Sequence, residues 1–514
     1  MQRRQNPIAL DGIAHKRQED HALNEIDYHL RYLVYLFLSR SMPILFFFID
    51  FVDIQDSAGY IGGKDGGGIL LDRVEVDFCD VIGRVKPMHG IGNAPLMGTD
   101  ERLFAYLGEA GIPFSRLHDT GGPYGGYRFV DIPNVFRDFS ADPEDPGAYD
   151  FAFTDWLLAA LHRQGVEPFY RLGVTIENGQ RIRAYRIFPP ADPLKWAKVC
   201  AGIIRHYTQG WADGFHYPIR YWEIWNEPDN EPDVADNPMW KGTAEEFFRL
   251  YEVASRYLKQ AFPQLKIGGY ASCGFYALSD SDFSREAHSS SRVEYFIDFF
   301  HRFLSHISSP QQESPLDFFS WHSYAGIEEN VRYAAYAREQ LDAYGFRKTE
   351  SFLNEWNPGP QNRGTAKDAA SVAAMMCAMQ GTCVDGCLYY DGQLTSTYGG
   401  IFDPVGLKPF KAFDAFRGFG VLYRLGNEVR CTVSGTGLYG CAAGREDAGA
   451  LLMANTADSP RQVRLSLAHL PAGPVRVTIT DRGRDREESI LSADGGTILL
   501  PMESESVLLL QAGD

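Results

Sequence analysis

Between Val85 and Gly420 a short apolar run alternates eight times with an amphipathic stretch. The apolar runs are Val85–Met88, Phe114–Leu117, Val166–Leu172, Tyr221–Asn226, Leu265–Gly269, Asp317–Tyr324, Ser351–Asn354 and Val384–Asp391. The stretches between them carry apolar residues at helical spacing. Ala244–Ala261, with Phe247, Phe248, Leu250, Tyr251 and Leu258, is the clearest. Strands joined by helices pair in parallel, and eight such units predict a closed (β/α)8 barrel, an α/β fold.

A barrel of this kind takes roughly 250 residues, and the chain has 514. After Gly420 the helical pattern stops. Short strand-like runs follow, separated by Gly, Pro and Asp, which predicts an accessory antiparallel β-sandwich domain. The alternating run Ile69–Phe78 is expected to join that sandwich. The predicted organisation is therefore an atypical N-terminal extension and Gly-rich linker over 1–68, a sandwich strand within 69–84, the barrel over 85–420 and the sandwich over 421–514.

Residues 1–68 differ in kind. Two apolar runs, Tyr32–Leu38 and Met42–Ile49, are split by Ser39-Arg40-Ser41. A spanning helix needs about 18 or more apolar residues with few charges, so a membrane span is not expected. The acidic, long leader does not read as a signal peptide either. Cytoplasmic residence is the expectation, with export or anchoring through residues 32–52 as the alternative. The eight cysteines form no spaced framework, which reads as buried free thiols in a reducing compartment.

The net charge is −18 and no Lys/Arg run is present, so nucleic acid is not an expected partner. Gly62–Gly68 lacks the Lys-Ser/Thr ending of a phosphate loop. No metal or nucleotide cofactor is expected.

Two strands end in the same way. Tyr221-Trp-Glu-Ile-Trp-Asn-Glu-Pro-Asp229 and Phe352-Leu-Asn-Glu-Trp-Asn-Pro358 each run from an apolar body into Asn-Glu and then a proline. Proline cannot donate to a ladder, so pairing should stop there. Glu227 and Glu355 then sit at the C-terminal tips of the fourth and seventh strands, where barrels place their chemistry. Two carboxyl groups flanking one bond are what glycosidic cleavage needs: one protonates the leaving oxygen, and the other attacks the anomeric carbon or activates water. Glu223 shares the strand parity of Glu227 but lies deeper, as a structural carboxylate.

Other residues gather around this expected pair. Arg116, inside the second strand, can keep a carboxylate ionised by proximity. Asn226 can hydrogen-bond a sugar hydroxyl. Tyr324 can reach the nucleophile, and His322 on the same strand can bind a hydroxyl. His118, Asp119, His89 and Asn93 are candidate substrate contacts. Trp240, Trp356 and Tyr390 are candidate stacking platforms, with Trp356 next to Glu355.

Glu223-Ile-Trp-Asn-Glu-Pro228, Trp321-His-Ser-Tyr324 and Asn354-Glu355, together with Phe114-Ser-Arg-Leu-His118, resemble glycoside hydrolase clan A. Within that clan the chain, from about Val74 to its end, resembles family 39, which includes β-xylosidases and α-L-iduronidases. The resemblance implies a retaining exo-glycosidase that hydrolyses oligosaccharides by double displacement. Glu227 would be the acid/base and Glu355 the nucleophile, with Asn226 on the 2-hydroxyl and Tyr324 orienting Glu355. A β-xylosidase-like activity is the first expectation. A β-galactosidase, β-glucosidase, arabinosidase or uronidase, or an endo-acting polysaccharide hydrolase, is the alternative. Carbohydrate is the expected partner, and a homo-oligomer is compatible with the sequence.

Overall fold

The computed structural model describes residues 71–96, 100–120, 129–175, 187–279, 290–394, 396–491 and 497–513. The N-terminal extension, its linker and the apolar runs within 32–52 lie outside the described residues. Among the described residues, no helix is long and apolar enough to cross a membrane.

Eight parallel strands close a barrel: β2 (Gly90–Gly92), β3 (Phe114–Arg116), β4 (Glu167–Leu172), β5 (Tyr221–Ile224), β6 (Lys266–Ser272), β7 (Phe318–His322), β8 (Glu350–Trp356) and β9 (Gly386–Tyr389). Seven of the eight expected runs overlap the observed strands. The first does not, because β2 starts after Val85–Met88. Pro87 has no N–H to offer, and the neighbouring Lys86 ammonium is held by the carbonyls of Thr382 and Val384. The strand forms instead in Gly-Ile-Gly, a composition that strands usually avoid. Glycine is needed there: a Cβ on Gly90 would lie 2.9 Å from Leu388 Cγ, and one on Gly92 2.9 Å from Tyr390 Cδ2.

The lower interior of the barrel is closed by Phe114, Phe169, Tyr221, Phe318, Phe352 and Leu388, one side chain from each of six strands. The rings of Phe169 and Tyr221 stack at 5.1 Å, and Phe114 meets Tyr221 edge-on at 5.4 Å. Such pairs gain beyond their buried area. This aromatic floor fills the lower barrel and leaves a dry base under the polar residues further up β3, β5 and β8.

Beyond a two-stranded ribbon of β10 (Phe402–Asp403) and β11 (Lys408–Pro409), the expected sandwich is one nine-stranded sheet. It is built from β1 (Leu71–Arg84), β12 (Asn427–Ser434), β13 (Leu438–Gly444), β14 (Ala448–Asn455), β15 (Arg461–Ala468), β16 (Val475–Thr480), β17 (Glu487–Leu491), β18 (Thr497–Met502) and β19 (Ser506–Gly513), in the order β17-β16-β19-β14-β13-β12-β1-β15-β18. The sheet is antiparallel except where β1 lies parallel to β15. Its strands curl around a core that includes Val74, Val76, Leu451, Met453, Leu465 and Leu508. The strand before the barrel thus sits inside the sheet that follows it. β14 is buried along its whole length. Leu451 and Met453 point into the sheet's own core, and Ala450, Leu452 and Ala454 join the core of the barrel helices. A strand buried on both faces reads as a continuous apolar run, as Ala450-Leu-Leu-Met-Ala454 does.

Gly268 on β6 marks how tightly the barrel is filled. A Cβ there would lie 2.1 Å from the backbone oxygen of Phe318 and 2.7 Å from its ring. Gly268→Ala is therefore expected to destabilise the fold by about 1–3 kcal/mol, read from the urea midpoint. An unchanged midpoint would mean that the floor has slack.

Candidate active site

β5 ends at Ile224, and the chain turns sharply over the next residues. Trp225 and Glu227 both have left-handed backbones, φ 72° and 44°. This conformation is costly for residues with a Cβ. Two backbone bonds hold it: Trp225 N–H donates to Leu172 O at 2.8 Å, and Glu227 N–H to Ala271 O at 3.0 Å. The strands on either side thus fix the tip of β5, and Glu227 is aimed across the barrel mouth.

Arg116 organises the layer below. Its guanidinium is fully buried and donates in three directions: Nε to Glu223 Oε2 at 2.7 Å, Nη1 to Glu355 Oε1 at 2.7 Å and Nη2 to Asn226 Oδ1 at 2.6 Å. Burial opposes its charge, but the two carboxylates outweigh that and raise its pKa further. Glu223 is fully buried and also accepts from Asn354 Nδ2 at 2.6 Å. Asn354 is thereby spent on Glu223. Asn226 behaves differently. Arg116 fixes its Oδ1, so its Nδ2 donor is what it can offer to another group.

Glu355 is also held by the Tyr324 hydroxyl, which donates to Oε2 at 2.9 Å. Glu227 has His322 Nδ1 at 2.7 Å from Oε1 and accepts from Asn230 Nδ2 at 2.7 Å on Oε2. His322 Nδ1 also lies 3.5 Å from Glu355 Oε2. One ligand atom each of Glu227, His322 and Glu355 lies within 4.8 Å of the others. Burial pushes both carboxyls up. At Glu227 the contacts from His322 and Asn230 overcome it and leave the group below its ordinary value. At Glu355 burial prevails, with the charge of Glu227 adding to it, against His322 and Arg116.

A second wall comes from the tips of β2, β3 and β9. The Tyr390 hydroxyl donates to Asp119 Oδ2 at 2.9 Å, His118 Nε2 lies 3.3 Å from Asp119 Oδ1, and Asn93 Nδ2 donates to Asp391 Oδ2 at 3.4 Å. Asp391 is buried, and burial pushes its carboxyl up to about 7, with the charges of Asp119 and Glu355 adding to the shift.

Three expected contacts lie elsewhere. His89 is fully buried, its Nε2 2.9 Å from Gly111 O, with Phe419 and Tyr423 packed on its ring. Burial lowers its pKa to about 3. It precedes the observed first strand instead of following it, and it packs against the helix Phe413–Leu425, so it does not face a substrate. Trp356 alternates to the opposite side of β8 from Glu355. It is 1% exposed and packs edge-on against Tyr389, so it cannot offer a face to a sugar. Trp240 is likewise buried, against Trp225.

The sequence model of Glycosyl hydrolases family 39 matches residues 126–390, a span that contains both Glu227 and Glu355. The chain belongs to glycosyl hydrolase family 39. A β-xylosidase of Geobacillus stearothermophilus is 25% identical over 233 residues, which is 42% of this chain and 40% of that protein. The match therefore spans less than half of the relative's length. In fold, the family 39 chain is similar to a glucosidase from Croceicoccus marinus (TM-score 0.67, 23% identity, 87% of this chain and 100% of that one). It is also similar to a monomeric β-xylosidase from Caulobacter crescentus (TM-score 0.60, 17% identity, 86% and 99%).

The structure adds residues that the sequence reading passed over. Asn230 grips Glu227 from three positions further along the chain, and Asp391 joins the second wall. Tyr398 is 56% exposed, packs on Tyr390, and is raised by burial and by the charges of Asp119, Glu227 and Glu355. The first two stand in loops, where Asn and Asp are common for local reasons, so composition did not mark them.

Removing Arg116 from this family 39 site strands two carboxylates in a dry layer. Arg116→Met is expected to destabilise the protein by about 3–5 kcal/mol. Adding Glu223→Met should recover part of the loss, since one buried charge is then removed. Strictly additive losses in chemical denaturation would show that Arg116 and Glu223 do not act together.

Proposed function

We propose that this chain is a retaining exo-glycosidase acting on oligosaccharides, β-xylosidase-like, with Glu227 as acid/base and Glu355 as nucleophile. One observation carries the reading: oxygens of the two carboxyl groups lie within 4.8 Å of each other. Inverting enzymes need about 6.5–9.5 Å between their carboxyls to seat a water, whereas retaining enzymes need only about 5–5.5 Å.

The supports fit these roles. Arg116 and the Tyr324 hydroxyl both donate to Glu355, which stabilises the charge that a nucleophile carries. Neither bond reaches Glu227, whose partners are His322 and Asn230. In the free protein the contacts of Glu227 hold it below its ordinary value and burial holds Glu355 above, whereas the reaction needs a proton on Glu227 and a charge on Glu355. Glu227 then protonates the leaving oxygen while Glu355 attacks the anomeric carbon. In the second half, Glu227 takes a proton from water, and that water displaces Glu355. Asn226 Nδ2 would donate to the 2-hydroxyl.

The second wall bears on the sugar. Asp119 and Asp391 face the glycone side, and carboxylates there favour hydroxyls over a uronate. Tyr398 replaces Trp356 as the proposed stacking platform. This supports a neutral glycone over a uronide. All eight cysteines are unpaired, which favours cytoplasmic residence.

Nitrophenyl glycosides of xylose, arabinose, galactose, glucose and glucuronic acid test the reading. Turnover of a neutral sugar, with xylose fastest, is expected, and glucuronide turnover as the leading activity would contradict it. The kcat/KM profile should be bell-shaped. It falls at high pH as Glu227 loses its proton and at low pH as Glu355 gains one. In Glu227→Ala rescued by azide the high-pH limb should vanish, and its persistence would place the acid elsewhere.

A further inference from the structure

The nine-stranded sheet carries a cluster that the barrel chemistry does not use. Asp77, Cys79 and His469 each present a ligand atom within 4.8 Å of the other two. Backbone geometry brings them together. β1 and β12 pair regularly up to Asp77↔Arg430, and the next pair is Val81↔Val429. Residues 78–80 therefore form a bulge, which re-aims the side chains it carries. Within it, Cys79 N–H donates to Asp77 Oδ1 at 3.0 Å, which folds the thiol back toward the carboxylate. On the other side β1 runs parallel to β15, with Asp77 opposite Ala468. His469 follows directly with a left-handed backbone, φ 53°, and its Nδ1 lies 2.8 Å from Asp77 Oδ1.

We propose that Asp77, Cys79 and His469 bind a zinc-class divalent cation that clips the bulge of β1 to the end of β15. The donor set is what selects the ion. Calcium and magnesium take all-oxygen sites, whereas a thiolate, an imidazole and a carboxylate together suit zinc. Three such ligands and a water complete a tetrahedron. Bond lengths of about 2.3 Å to sulfur and 2.0–2.2 Å to nitrogen and oxygen require the Asp77–His469 contact to open slightly and the Cys79 thiol to draw in. The site can give in this way, because Cys79 is exposed and the His469 side chain is 63% exposed. The ion would cross-link the first strand of the sheet to a strand nearly 400 residues later.

Cobalt(II) titration of the full reduced chain tests this, followed by optical absorption. A thiolate-to-cobalt charge-transfer band with tetrahedral d–d bands is expected at one equivalent, displaced by zinc. Cys79→Ser should abolish the charge-transfer band. Cys383→Ser, which removes another exposed thiol, should keep it. His469→Ala should weaken binding by more than the roughly 10–100-fold that loss of an outer partner costs. Zinc should raise the melting temperature of the wild type but not of Cys79→Ser, and unaltered glycoside turnover by that variant would report that it is folded. Absence of the band, or a band that survives Cys79→Ser, would overturn the proposal. The latter would assign the metal to another thiol.

Discussion

The buried fork of Arg116 is the interaction on which the rest of the site depends. One guanidinium on β3 binds a structural carboxylate, Glu223, the candidate nucleophile, Glu355, and the amide of Asn226. Only arginine has the planar set of donors to do this. The aromatic floor beneath it keeps water out, so these charge-assisted bonds are stronger than they would be in solvent. A buried cation with two anions is costly to assemble, and it is kept where geometry matters more than stability. Here it sets the position of the fourth strand tip relative to the seventh.

The two carboxyls of the pair differ because their neighbours differ. Glu355 faces a fixed cation on β3 and a phenol two residues past the end of β7. Glu227 faces an imidazole and an amide, groups that can change partners or proton position. Under the proposed roles, a nucleophile that must carry charge and an acid that must exchange a proton are thus given different neighbours at one barrel mouth. The left-handed backbone at Glu227 is part of this design. Strain at the tip of β5 is held by bonds to the strands on both sides, and it turns the side chain toward His322 rather than along the strand.

Much of this was legible in the sequence, for identifiable reasons. Strands β3 to β9 carry β-branched, aromatic or bulky residues at strand spacing, so the repeat stood out. The Asn-Glu tips were marked by the prolines that follow them. Depth along the strand, at one and the same parity, separated Glu223 from Glu227. The first strand was missed because the glycines that closure requires at positions 90 and 92 are poor strand formers. His89 was misplaced with it. Trp356 was misjudged by adjacency: next in sequence to Glu355, it points to the other face of the strand. Asn230, Asp391 and Tyr398 could not be read, since their roles depend on how loops from distant strands meet. The single curled sheet, with β1 at its seam, is set by pairings between residues more than 300 positions apart, for which one sequence holds no signal.

The proposed attack of Glu355 on the sugar can be trapped by inactivating the protein with an activated 2-deoxy-2-fluoroglycoside, digesting it, and locating the added mass. One sugar per chain, ester-linked to Glu355, is expected, with recovery of activity as the ester slowly hydrolyses. A label on Glu227, or turnover that inverts the anomeric centre without any trapped ester, would contradict it.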